Sequence, residues 1–137
     1  KRILILDDNL MICLMLKSWL TKKNYKVDTA TSVGEAQQKV KNEAYDLILS
    51  DIRMPEADGF SFLSWIKRFD SDVLVIMMTS YADIETAVES MKSGAVDYIP
   101  KPIEAESLYQ KIADALKNHE NQKKAEQIRE PLIKPEG

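Results

Sequence analysis

Short aliphatic runs alternate with helical patterns five times along this chain, and that alternation limits the folds open to it. Runs such as Ile3-Leu4-Ile5-Leu6 and Leu47-Ile48-Leu49 read as strands buried in a parallel sheet. Strands are expected over residues 3–6, 26–29, 47–50, 73–78 and 96–99. Helices are expected between and after them, over residues 10–22, 33–43, 60–69, 83–93 and 103–119. Local signals support these placements. Ser32 is a candidate N-cap before Val33, Ala36 and Val40, which recur at helical spacing. Ala57-Asp58-Gly59 is a turn signal ahead of the third helix. The fourth helix starts acidic, carries the stripe Ile84, Ala87, Val88 and Met91, and has Gly94 as its C-cap. Pro102 launches the fifth, striped with Leu108, Ile112, Ala115 and Leu116. Alternation with short links implies a doubly wound α/β domain with right-handed crossovers. Pro100 cannot donate to a ladder, so the last strand belongs at an edge.

Acidic residues follow two of the strands. Asp7 and Asp8 come after the first, Asp51 after the third. Ligands of open α/β sheets lie outside the carboxyl ends of the strands. If the two strands are neighbours, the carboxylates converge. Two unit charges about 4 Å apart repel by roughly 4 kcal/mol at an effective dielectric near 20. Such a cluster calls for a cation, and all-oxygen donors suit a hard one such as Mg²⁺. A phosphoryl group is the simplest anion for that cation to neutralise.

The chain has 137 residues, enough for one domain, with 45% hydrophobic and 30% charged residues. A net charge of -3 and no basic block argue against nucleic acid contact by this domain. A single cysteine, Cys13, excludes an internal disulfide and reads as a small apolar helix residue. The one histidine, His119, lacks partners for a zinc site and reads as a surface residue late in a helix. Without a long apolar run or a secretory pattern, a cytoplasmic location and no membrane contact are expected. Residues 120–137 are polar, with two prolines, and read as a helix extension that frays into a linker near Pro131. The expected division is therefore a domain over 1–119 and a linker or helix extension over 120–137 toward a following output domain.

The first helix opens with consecutive apolar residues from Leu10 to Leu16, more than one buried stripe can use. Ile12, Met15, Leu16, Trp19 and Leu20 fit a core face. Some of Leu10, Met11, Cys13 and Leu14 should then be exposed near Asp8, as a docking patch for a partner.

Several segments together resemble the receiver domain of two-component response regulators. They are Leu6-Asp7-Asp8, Ser50-Asp51-Ile52-Arg53-Met54-Pro55, Asp58-Gly59, Met78-Thr79-Ser80, Gly94-Ala95 and Tyr98-Ile99-Pro100-Lys101-Pro102. Residues 82–92 look most like receivers of the NtrC type, which precede a sigma-54-activating ATPase domain. The resemblance implies a flavodoxin-like (βα)5 sandwich with a five-stranded parallel sheet of order 2-1-3-4-5. It implies that Asp51 accepts a phosphoryl group from a histidine kinase or phosphotransfer protein. Asp8 and Asp51 would bind Mg²⁺ directly, Asp7 through water, and the Arg53 carbonyl would add another oxygen. Lys101 and Thr79 would hold the phosphoryl oxygens. Thr79 and Tyr98 would carry the switch to a face built from the fourth helix, fifth strand and fifth helix; Tyr109 and Ala113, which lie off the buried stripe of the fifth helix, are expected to be exposed on it. That face would serve phosphorylation-dependent homodimerisation and, through the output domain, transcription. The resemblance also implies a cis peptide between Lys101 and Pro102, and places Arg53 and Tyr81 where bulk shields the acyl phosphate.

By themselves the residues leave plainer accounts open. Asp7 and Asp8 could cap the first helix. Asp51 could be a turn acid, Thr79 and Ser80 caps of the fourth helix, Lys101 a solvated lysine and Tyr98 ordinary packing. Other functions also compete. A Mg²⁺-dependent aspartyl-phosphate phosphatase would show Asp-x-Asp at its nucleophile, whereas Asp51 is followed two residues later by Arg53. A stand-alone phosphorelay receiver would share every site residue. A flavodoxin would need a hydroxyl-rich phosphate loop where this chain has Asp7-Asp8-Asn9.

Overall fold

A computed structural model describes residues 1–54, 59–80 and 84–133. Strands and helices alternate through them: β1 (Arg2–Leu6), α1 (Leu10–Lys22), β2 (Lys26–Ala30), α2 (Val33–Asn42), β3 (Leu47–Asp51), α3 (Gly59–Phe69), β4 (Leu74–Thr79), α4 (Ile84–Lys92), β5 (Asp97–Pro100) and α5 (Ala105–Ile133). All strand pairs are parallel, in the order β2-β1-β3-β4-β5. This is the expected flavodoxin-like arrangement, with β5 at an edge.

Successive strand side chains point to opposite faces, so each aliphatic run feeds two cores. Ile3, Ile5, Leu47, Leu49, Ile76 and Met78 pack under α1 and α5, against Cys13, Leu16, Leu20, Leu108, Ile112 and Leu116. Leu4, Leu6, Ile48, Val75 and Met77 face α2, α3 and α4, against Ala36, Phe62, Leu63, Ile66 and Ala87. Both β3 and β4 are buried along their whole length. Each fully buried side chain of this size contributes about 1.5–3 kcal/mol. These two layers hold the strand ends, and hence the acidic residues beyond them, in fixed register.

Helix ends follow local chemistry. The Asn9 side chain accepts from the backbone N–H groups of Met11 and Ile12, which caps α1. Ser32 caps α2 by accepting from Glu35 N, and the Glu35 carboxylate returns to Thr31 N. At the end of α4, Ala95 N donates to Ser90 O and Gly94 N to Met91 O, the paired bonds of a left-handed C-terminal cap. Gly94 has φ of +114°, a conformation that costs a glycine little.

Some expectations need correction. Met15 is 39% exposed, because the buried stripe of α1 runs through Cys13, Leu16 and Leu20 instead. Val88 and Met91 are 48% and 38% exposed, and α4 buries Ala87 and Ser90 in their place. Ser90 can occupy that site because its hydroxyl donates to Ala87 O, leaving no unpaired donor. Tyr109 is half-buried against α1: its hydroxyl donates to Trp19 O at 3.4 Å, and Lys23 Nζ lies 4.7 Å from its ring centroid. It therefore belongs to the α1–α5 seam. Ala113 is exposed, as expected. Helix α5 spans Ala105–Ile133. The stretch after His119 is rich in Lys, Glu, Gln and Ala, all good helix formers. The Ala57-Asp58 part of the turn signal, Pro55, Tyr81, the acidic start at Asp83 and residues 134–137 lie outside the described residues.

Candidate functional site

The site is built by register. Leu6 pairs with Ser50 and Asp51 with Met78, so Asp7 and Asp51 emerge side by side at the carboxyl ends of β1 and β3. Asp7 is fully buried, Asp51 is 7% exposed and Asp8 lies open to solvent. One carboxylate oxygen from each of the three lies within 4.8 Å of those of the others.

Backbone and side-chain bonds fix this corner. Asp7 N donates to Ala30 O at 3.1 Å, and Asp7 Oδ1 accepts from Asn9 N at 2.9 Å. Asn9, not Asp7 or Asp8, supplies the side-chain cap of α1. Cys13 Sγ donates to Asp7 O at 3.3 Å from the buried face of α1. Burial, with Asp7's negative charge beside it, pushes the Cys13 thiol up to about 11.

Lys101 reaches the same spot from the far side of the sheet. Thr79 pairs with Pro100, and Lys101 N donates to Thr79 O at 2.6 Å. The side chain then crosses the ends of β4 and β3. Its Nζ donates to Asp7 Oδ2 at 2.8 Å and stands 3.3 Å from Asp51 Oδ1. The Lys101-Pro102 peptide is cis, as the resemblance implied. Lys101 is thus no freely solvated lysine. Burial works to lower its pKa, but the hydrogen bond to Asp7 and the charges of Asp51 and Asp7 outweigh this and raise it. Asp51 is raised above the ordinary 3.8 by burial first and by Asp7's charge second, with Lys101 opposing both. An ionised Asp51 is therefore held under electrostatic pressure that a further cation would relieve.

The remaining expected residues lie at the margins of this cluster. Thr79 is buried at the end of β4, and its hydroxyl donates to Ser80 O at 3.0 Å. Arg53 follows β3 with its side chain exposed. Tyr98 is half-buried on β5, paired with Met77 and packed against the α2–α4 core. On α1, the exposed apolar residues are Leu10, Met11, Leu14 and Met15, with Met11 73% exposed. Of Leu10, Met11, Cys13 and Leu14, some of which were expected to be exposed, three are and Cys13 is buried.

Asn9 and Lys111 contribute at or near the site and are absent from the candidate residues read from the sequence. Asn9 was legible, since Asn directly before an apolar-periodic run is an N-cap signal. Lys111 was not. It lies 14 residues beyond Asp97, to which it is bonded, and no local pattern announces a contact from α5 around the edge strand.

Chemically, three carboxylate oxygens at close range form a hard, anionic donor set of the kind divalent Mg²⁺ favours. The adjoining ammonium is placed to meet a further anion. Among the described residues no helix is long and apolar enough to cross a membrane.

Comparison with known proteins agrees with this geometry. Residues 3–113 match the family model of the response regulator receiver domain. The chain is 40% identical over 114 residues to the transcriptional regulatory protein ZraR of Klebsiella oxytoca, covering 83% of this chain and 26% of that protein. The chain thus spans about a quarter of the length of the curated relatives it matches. A receiver domain protein (CheY-like) from Methanospirillum hungatei superimposes with a TM-score of 0.84 at 36% identity, over 89% of this chain and 98% of that one. NtrX from Brucella abortus gives 0.89 at 28% identity, over 93% of this chain and 30% of that one. ZraR and NtrX are in keeping with the NtrC-type likeness of residues 82–92. With the strand order, the carboxylate cluster and the family match in agreement, the chain belongs to the response regulator receiver domains.

Proposed function

We propose that this domain is a phosphorylation-driven switch in which Asp51 takes a phosphoryl group from a histidine kinase or phosphotransfer protein. The observation that carries the reading is Lys101 bridging Asp7 and Asp51 beside the three-carboxylate cluster. Asp8 and Asp51 would hold Mg²⁺, with Asp7 and the Arg53 carbonyl completing the site. The ion's contribution is charge neutralisation where carboxylates and a phosphoryl group meet. An oxygen of Asp51 attacks the donor's phosphorus in line, and the donor's leaving group departs with the bonding pair. The Lys101 ammonium exchanges carboxylate partners for a phosphoryl oxygen, and Thr79 turns its hydroxyl from Ser80 O to another. Charge placed in advance around the transferring group is the main catalytic term for this chemistry. The domain catalyses only its own phosphorylation and dephosphorylation.

The apolar patch of α1 beside Asp8 fits docking of the phosphodonor protein. Exposed Val88 and Met91 on α4 and Val96 before β5 fit an output face of α4, β5 and α5 that changes dimer contacts. Residues 1–119 would be the receiver proper, and the rest of α5 would lead to an output domain that acts on transcription in the cytoplasm. The NtrC-type likeness points to a sigma-54-activating ATPase there. Amide exchange with and without beryllofluoride and Mg²⁺ tests the output half. Altered protection across residues 84–117 is expected. Changes confined to α2 and α3 would show that the signal leaves by another face.

A further inference from the structure

Lys111 joins two adjacent residues of the edge strand. Its Nζ donates to both oxygens of the Asp97 carboxylate, at 3.2 and 3.3 Å, and stands 5.7 Å from the Tyr98 ring centroid. Asp97 Oδ1 also accepts from Tyr98 N at 2.8 Å. Helix α5 packs on one face of the sheet, while Tyr98 packs against the core on the other, so the lysine wraps around the open edge of β5. The bidentate pair with Asp97 steers the ammonium, and the ammonium in turn favours one placement of the aromatic ring.

We infer that Lys111 is a positioning residue that latches Tyr98 in the resting arrangement, the one in which Lys101 is bonded to Asp7 and Asp51. The inference rests on the phosphoacceptor reading above insofar as Tyr98 moves when Asp51 is modified. Any interaction made in the resting state and lost in the active one lowers the apparent affinity for whatever selects the active state. Lys111 is therefore a brake whose strength sets how readily the domain responds. An exposed cation–aromatic contact changes such an equilibrium by about two- to fivefold.

Two measurements on Lys111→Met and Lys111→Arg test it. In the unphosphorylated protein, side-chain couplings of Tyr98 by NMR should report one rotamer for the parent and the arginine variant, and an averaged value for Lys111→Met. A single unchanged rotamer in Lys111→Met overturns the latch, whatever happens at Asp51. With saturating Mg²⁺, beryllofluoride should bind Lys111→Met about two- to fivefold more tightly than the parent, and Lys111→Arg like the parent. Equal or weaker binding by Lys111→Met would equally overturn the latch. If the parent itself fails to bind beryllofluoride, the phosphoacceptor reading falls, and the rotamer measurement still decides the latch.

Discussion

Lys101 and Asp7 meet at 2.8 Å although 94 residues separate them in sequence. The same ammonium stands 3.3 Å from Asp51, so one cation offsets two buried carboxylates. A divalent ion held at this cluster would compete with the lysine for the Asp51 carboxylate.

Replacing Lys101 should separate two properties. In Lys101→Ala, Mg²⁺ should bind as tightly as in the parent or more so, because a competing cation is gone. Self-phosphorylation from acetyl phosphate should slow by on the order of 10²-fold, the usual cost of removing one preorganised donor to a developing anion. Isothermal titration and single-turnover kinetics check the two arms. A large loss of Mg²⁺ affinity would contradict the role.

Asp51 makes stability depend on pH in a direction opposite to most carboxylates. Its folded pKa is raised by burial and by Asp7, so above the ordinary 3.8 the folded chain holds a proton that the unfolded chain releases. The stability contributed by protonated Asp51 is present below 3.8 and is lost as pH rises through the folded pKa. In chelator, Asp51→Asn should therefore melt higher than the parent at neutral pH, and the difference should shrink toward pH 4. Each 1 kcal/mol recovered would appear as roughly 2–8 °C in Tm. Melting curves between pH 4 and 8 decide, and an Asp51→Asn protein less stable at pH 7 would sink the argument.

Cys13 should be inert in the folded protein. Its thiol is fully buried, donates to Asp7 O and is pushed up to about 11, so little thiolate exists at pH 8. A thiol reagent such as DTNB should react at the rate of global opening and fast only in denaturant. Fast reaction under native conditions would mean that α1 leaves β1 readily.

Much of this was legible in the sequence because it rests on local pattern. The strand runs, the alternation and the acids at strand ends are read from neighbours in the chain. What stayed hidden depends on neighbours in space. Met15, Val88 and Met91 are apolar at helical spacing, yet the orientation of α1 and α4 on the sheet turns them outward. Ser90 is buried because its hydroxyl finds a carbonyl of its own helix, which no hydrophobic pattern foretells. Tyr109 turns to α1 because Trp19 and Lys23 wait there. At the site, register brought Asp7 and Asp51 together as expected, but the lysine's closer approach to Asp7 than to Asp51 depends on its path across the strand ends.

The central claim is that Asp51 is a Mg²⁺-dependent phosphoryl acceptor, and intact mass after incubation with acetyl phosphate tests it most directly. The parent protein with Mg²⁺ should gain the mass of one phosphoryl group, about 80 Da, while chelator or Asp51→Asn should abolish the gain. A phosphorylated species that persists in Asp51→Asn, or forms equally without Mg²⁺, would contradict the account.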